Sequence, residues 1–376
     1  MDSNYHPVEL FQVLEASRSR RRRSKWIVIG TLVAVVAIIA IAVTVGVVAS
    51  KKAIGKPKSN ASDPSLFPKH PMLHQSFYGL AYTPAGSQYP GCGNSLDAVI
   101  QDIQVMSQLT TRVRLYGADC NQTELVLEAI KQTKVNMTVY PGNYVIPSDD
   151  AGYNRQRDAL NHAIQAYGTG NIGGLTVGNE FMLNYLTAHG ATDPNGSVGQ
   201  QGAALLLNYV NDTRSSLSSM GVSLPIGTAD AGSFFNTEVL SSVNYGMSNV
   251  HAWFANQSVN NAASWVFNFF ETTNVQPAAA LSNNPKMYIA ETGWPTDSTN
   301  AGNENNGASN ASVATLQTFL DTFVCQANQQ NVPYFYFEFF DEEWKNVTFG
   351  GVEGYWGLFT TNRTLKAVTI PDCTSH

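Results

Sequence analysis

Tyr288-Ile289-Ala290-Glu291-Thr292-Gly293-Trp294-Pro295 is an apolar run that stops on a carboxylate, and the Gly, Trp and Pro behind it end a strand. Leu175-Thr176-Val177-Gly178-Asn179-Glu180 has the same form. Each predicts a glutamate at the carboxyl tip of a strand. Working outward, strand-like runs alternate with segments of helical period. The runs are 77–82, 111–116, 135–140, 174–178, 222–228, 249–254, 286–290 and 333–339. Such alternation predicts parallel βαβ units, and this number of them predicts an α/β fold, a (β/α)8 TIM barrel over 76–376. Its strands all open onto one face, so Glu180 and Glu291 are expected in one cleft. A register error of one residue would turn either side chain into the wall. Asn121, with Glu124 behind it, and Ser309 are expected to cap the helices that follow them.

The chain has 376 residues, 43% hydrophobic and 13% charged, with net charge −6. No basic face appears beyond the N-terminus, which argues against a nucleic-acid partner. Residues 26–49 carry no charge and are long enough for a transmembrane helix, which takes roughly 20 apolar residues. Arg18, Arg20, Arg21, Arg22, Arg23 and Lys25 precede it and Lys51, Lys52, Lys56 and Lys58 follow it, so 1–25 is expected to stay cytosolic. The expected order is a basic tail at 1–25, a signal anchor at 26–49, a stalk at 50–75 and an outward-facing domain at 76–376, as in a single-pass type II plasma-membrane protein. Sequons at Asn60, Asn121, Asn136, Asn195, Asn211, Asn256, Asn310, Asn346 and Asn362 all lie beyond the span. So do Cys92, Cys120, Cys325 and Cys373, an even count that fits two disulfides in any of three connectivities.

Two facing carboxyl groups are the minimal apparatus for cleaving an acetal: one gives a proton to the leaving oxygen, and the other attacks or stabilises the sugar cation. Asn179 is placed to bind the hydroxyl beside the reacting carbon. Tyr116, Trp294, Trp344, Tyr82 and Phe254 offer faces for sugar rings. His251 reads as a hydrogen-bonded structural residue; no metal site and no cofactor are expected.

Several segments resemble glycoside hydrolase family 17, in particular fungal cell-wall β-1,3-glucanases and glucanosyltransferases. They are FYGLAYTP (77–84), TTRVRLYGADC (110–120), LTVGNE (175–180), IGTAD (226–230), NVHAWF (249–254), YIAETGWP (288–295), FYFEFFDEEWK (335–345) and YWGLF (355–359). The resemblance implies a retaining endo-acting enzyme on β-1,3-glucan, with Glu180 as general acid/base, Glu291 as nucleophile, and Glu342 and Lys345 in support. A nearby ammonium would keep Glu291 ionised, and a further carboxylate would raise the acid. A transglycosylating enzyme and a glucan-binding wall protein without catalysis are the alternatives, and no oligomeric state is implied. On the barrel, Cys92 and Cys120 would follow strands one and two and are expected to pair, and Cys325 is expected to tie a helix to the tail at Cys373.

Overall fold

The computed structural model describes residues 63–374. Among these residues no helix is long and apolar enough to cross a membrane; the expected span at 26–49 lies outside them. Residues 63–75, assigned above to a stalk, already bond to the domain: His70 N–H donates to Gln108 Oε1 at 2.7 Å, and Gln75 Nε2 donates to the Ser107 carbonyl at 2.6 Å.

The strands are β1 (Gly79–Ala81), β2 (Arg112–Arg114), β3 (Thr138–Tyr140), β4 (Gly142–Asn143), β5 (Leu175–Asn179), β6 (Ile226–Ala231), β7 (Tyr245–Asn249), β8 (Lys286–Thr292) and β9 (Tyr334–Tyr336). They form one 9-stranded sheet in the order β3-β2-β1-β9-β8-β7-β6-β5-β4, parallel throughout. The two ends of that order, β3 and β4, are one chain segment interrupted at Pro141, whose ring nitrogen has no N–H to donate. The sheet therefore closes nearly completely into the expected barrel. Its strands are buried on both faces and read as apolar runs.

The sixth strand is the exception to the sequence reading. It lies at Tyr245–Asn249, not 249–254. Gly246, Ser248 and Asn249 look like turn residues, yet all are buried, and a Cβ on Gly246 would meet the Met287 side chain at 2.7 Å. Val250 to Phe254 instead forms the loop over the barrel mouth.

Two helix caps also differ. Asn121 is left-handed (φ 56°) and makes no cap hydrogen bond. Ser312, not Ser309, caps helix 313–329 by accepting from Thr315 N–H at 3.2 Å; Ser309 Oγ accepts from Val259 N–H.

The disulfides are Cys92–Cys120 and Cys325–Cys373, with Cα–Cα distances of 5.0 and 5.8 Å. The first ties the loops after β1 and β2 on the cleft side of the barrel, and the second ties helix 313–329 to the tail, as expected. Loop closure over these separations stabilises by about 3–4 kcal/mol each.

Candidate active site

Glu291 owes its direction to a bulge. Tyr288 points into the barrel, its ring meeting those of Tyr78, Tyr140 and Tyr245. Counting by twos from Tyr288, Glu291 would face outward. β8 carries one extra residue here: Ser248 pairs with Ile289 but Asn249 pairs with Glu291, and the added residue reverses the parity. β5 is bulged as well, with Thr176 opposite Gly227 and Asn179 opposite Ala229; Thr176 already faces the interior, 3.0 Å from the Tyr245 hydroxyl, so there the extra residue turns Asn179 inward. Its bulge falls at Gly178, whose φ of 85° is disfavoured for any side-chain-bearing residue.

Glu180 follows with φ 54°, a left-handed conformation costing on the order of 1–3 kcal/mol in a non-glycine residue. Gly293, two residues past Glu291, is required by crowding, since a Cβ there would lie 2.0 Å from the Phe337 carbonyl oxygen.

Glu180 and Glu291 line one cleft of about 1040 Å³. Glu291 is only 6% exposed and takes charged or polar partners on both oxygens. Arg114 Nη1 donates to Oε1 at 2.9 Å, and His251 Nε2 lies 3.0 Å from Oε2. Burial pushes this carboxyl up, but His251 and Arg114 outweigh it and hold the group at about 2.

Glu180 takes one neutral donor, Asn249 Nδ2 at 3.0 Å to Oε1. Burial raises its carboxyl, the charge on Glu291 raises it further, and Asn249, His251 and Arg114 do not reverse the shift. Arg114 also donates to Asn179 Oδ1 at 2.6 Å and to the Ala290 carbonyl, so one guanidinium joins the tips of β5 and β8.

The supporting residues expected near strand eight are present, with a different division of labour. Lys345 lines the cleft, and its Nζ lies 2.7 Å from Glu338 Oε2 and 3.1 Å from Glu342 Oε2. Burial lowers this ammonium, and the two carboxylates more than restore it. Glu342 is buried away from the cleft and does not set the proton affinity of Glu180; Glu291 does that, together with burial. Burial and Glu342 together push Glu338 well above the usual carboxylate range.

Of the expected sugar platforms, Tyr116, Trp344 and Phe254 line the cleft, and Phe254 is 57% exposed. Trp294 and Tyr82 do not. The turn at Gly293 and Pro295 swings Trp294 into the core, where it is 0% exposed, packs on Trp253 and Phe319, and donates from Nε1 to the Asn310 carbonyl at 3.1 Å. Tyr82 packs on Phe339 and Phe340 and donates to Asp102 Oδ2 at 2.7 Å.

Sequence reasoning passed over Arg114, Asn249 and Glu338, and read His251 as merely structural. The signal for Arg114 was an arginine inside an otherwise apolar strand, which burial makes costly unless it is paired.

A carboxyl of raised proton affinity beside one of lowered affinity, in one groove at the carboxyl ends of a parallel barrel, has the chemistry of acetal hydrolysis. Fold and site together define the class of glycoside hydrolases. Residues 79–357 match the BtgE/BtgC glycoside hydrolase domain, and the chain belongs to that family.

It is 36% identical over 316 residues to the putative glucan endo-1,3-beta-glucosidase btgC of Aspergillus niger, covering 80% of this chain and 44% of that protein. It is 32% identical over 317 residues to the glucan endo-1,3-beta-glucosidase btgC of Emericella nidulans, covering 80% and 47%. The chain thus spans less than half the length of these curated relatives. Among solved structures, it superposes on the family 17 β-1,3-glucanosyltransferase of Rhizomucor miehei with TM-score 0.62 and 26% identity, over 79% of this chain and 97% of that one. An active-site mutant of that enzyme is solved in complex with laminaritriose.

Proposed function

We propose that the chain is a retaining endo-β-1,3-glucanase of the cell wall, with Glu291 as nucleophile and Glu180 as general acid/base. The observation that carries this is the opposite proton affinity of the two carboxyls lining one cleft. In the first step a Glu291 oxygen bonds to the anomeric carbon while the glycosidic bond breaks and Glu180 gives its proton to the leaving oxygen. In the second, Glu180 takes a proton from water, the water oxygen bonds to the same carbon, and the ester to Glu291 breaks. Both steps invert that carbon, so the product keeps the β configuration.

Asn179, its Oδ1 engaged by Arg114, turns its amide to the neighbouring sugar hydroxyl. Tyr116, Trp344 and Phe254 stack on rings along the groove. Lys345 supplies positive charge at the buried wall of the cleft, held by Glu342 and Glu338.

The test is digestion of laminarin-type glucan, with proton NMR reading the first-formed anomer. β-Anomeric oligosaccharides support the reading; an α product, or no product, overturns it. A second reading, transglycosylation, is favoured by the likeness to the β-1,3-glucanosyltransferase of Rhizomucor miehei. There a sugar hydroxyl replaces water in the second step, and products longer than the starting oligosaccharide would establish it.

The proposal extends to placement: residues 26–49 anchor a type II membrane protein whose enzyme domain faces the wall. Glycans on the exposed Asn136 or Asn362 of protein from a secreting host would support that orientation. Complete absence of glycans would overturn it.

A further inference from the structure

Asp230 ends the IGTAD segment, and nothing in the chemistry above uses it. It lies on β6, is 2% exposed, and accepts three backbone N–H groups: Met182 to Oδ2 at 2.7 Å, and Leu183 and Ala231 to Oδ1 at 3.2 and 2.9 Å. Met182 and Leu183 open helix 181–188, where N–H groups have no partner within the helix. The residue before a helix ordinarily supplies the cap. Here that residue is Glu180, which caps nothing, because its carboxylate is turned toward Asn249 in the cleft. The cap therefore comes from the neighbouring strand. β6 grips the turn a second time, since Glu180 N–H donates to the Ala229 carbonyl at 3.0 Å. Burial and the charge on Glu180 push the Asp230 carboxyl up against the pull of its three N–H donors, so the two acids are close enough to sense one another.

We infer that Asp230 is a positioning residue for Glu180: by capping helix 181–188 from outside, it frees the Glu180 side chain and holds the left-handed turn that aims it at the leaving oxygen. This rests on the reading of Glu180 as acid/base. Loss of aim and loss of fold leave different signatures. A badly aimed acid matters when the leaving group is a sugar alcohol, which needs a proton, and matters little when it is 2,4-dinitrophenolate, which needs none.

The experiment compares Asp230→Ala and Asp230→Ser in the full chain on a laminari-oligosaccharide and on its 2,4-dinitrophenyl β-glycoside. Asp230→Ala is expected to lower kcat/KM on the oligosaccharide by about 10–100-fold and on the activated substrate by less than about threefold. Azide should then speed turnover of the activated substrate. It bonds to the anomeric carbon as the Glu291 ester breaks, needs no base, and leaves a β-glycosyl azide. Asp230→Ser keeps an acceptor for one N–H and is expected to recover most of the loss. Equal losses on the two substrates, or undiminished oligosaccharide turnover, overturn the inference.

Glu180→Ala, run alongside, separates the two claims. If it shows no such split, the acid/base reading has failed; if it does and Asp230→Ala does not, only the positioning role has failed. Amide hydrogen exchange provides a substrate-free measure, in which Met182 and Leu183 must exchange faster in Asp230→Ala, or in Asp230→Ser should the alanine variant not fold. Unchanged protection overturns the inference whatever the activity.

Discussion

The tips of β5 and β8 start from the same local design, an apolar strand, a bulge and a glutamate, and end with carboxyls of opposite character. At β8 a guanidinium and an imidazole contact the two oxygens of Glu291 and keep it ionised down to about 2. At β5 a neutral amide is the hydrogen-bond donor to Glu180, and burial with the Glu291 charge raises it. Similar sequence on the two strands does not decide which glutamate gives a proton and which attacks. The residues brought in from β2, β7 and the loop after β7 set the difference in proton affinity on which the proposed roles rest.

The largest expected break in this comparison is Glu291→Ala. Without the attacking oxygen, kcat on laminarin should fall by roughly 10⁵-fold or more, to background. Reducing-end assays check it, and near-normal activity would remove Glu291 from the reaction. Glu180→Gln is expected to cost about 10²–10⁴-fold and to abolish the basic limb of the pH–rate profile. The two glutamates should also differ in stability. Glu291, lowered in the fold, contributes about 3 kcal/mol above its ordinary value of 4.5, and that contribution disappears as pH falls from there through about 2. Glu180 is raised, so its folded form holds the proton more tightly and stability falls as pH rises past its ordinary value. Thermal melts at neutral pH should therefore find Glu180→Gln more stable than the parent and Glu291→Gln less.

Arg114→Met leaves Glu291 buried without its cation and should destabilise by about 3–5 kcal/mol in denaturant titrations. In whatever remains folded, the Glu291 carboxyl rises, so the acidic limb of kcat/KM should move to higher pH. An unmoved limb would show that His251 alone holds the charge. The smallest effect is expected at the rim: Phe254→Ala should raise KM by roughly 2–10-fold, the scale of one aromatic stacking contact, with the melting temperature unchanged. Trp294→Ala is its converse, a core truncation costing about 3–5 kcal/mol.

That last pair shows where the sequence was readable. Both aromatics follow strands inside family motifs, and both were expected in the groove. A ring beside a strand tip can turn either way, and Gly293, forced by the Phe337 carbonyl, turned Trp294 inward. The barrel itself was legible because the alternation of short apolar runs with helical periods is a one-dimensional signal. The sixth strand was misplaced because Gly246, Ser248 and Asn249 read as turn residues along the chain, and only packing in the barrel buries them. The cap expected at Asn121 failed for a different reason, since its left-handed backbone does not present the side chain to the helix it precedes.

From residue order alone followed the barrel, the two strand-end glutamates, an even cysteine count that fits two disulfides, and the expectation of sugar chemistry. These are properties of spacing, and spacing is written along the chain. Proton affinity is not, because it depends on charges a few ångströms away in space and on how much water they exclude. The packed barrel therefore settled what the linear pattern left open. A single-residue bulge turned Glu291 inward, Arg114 and His251 held it ionised, and burial with the Glu291 charge raised the proton affinity of Glu180.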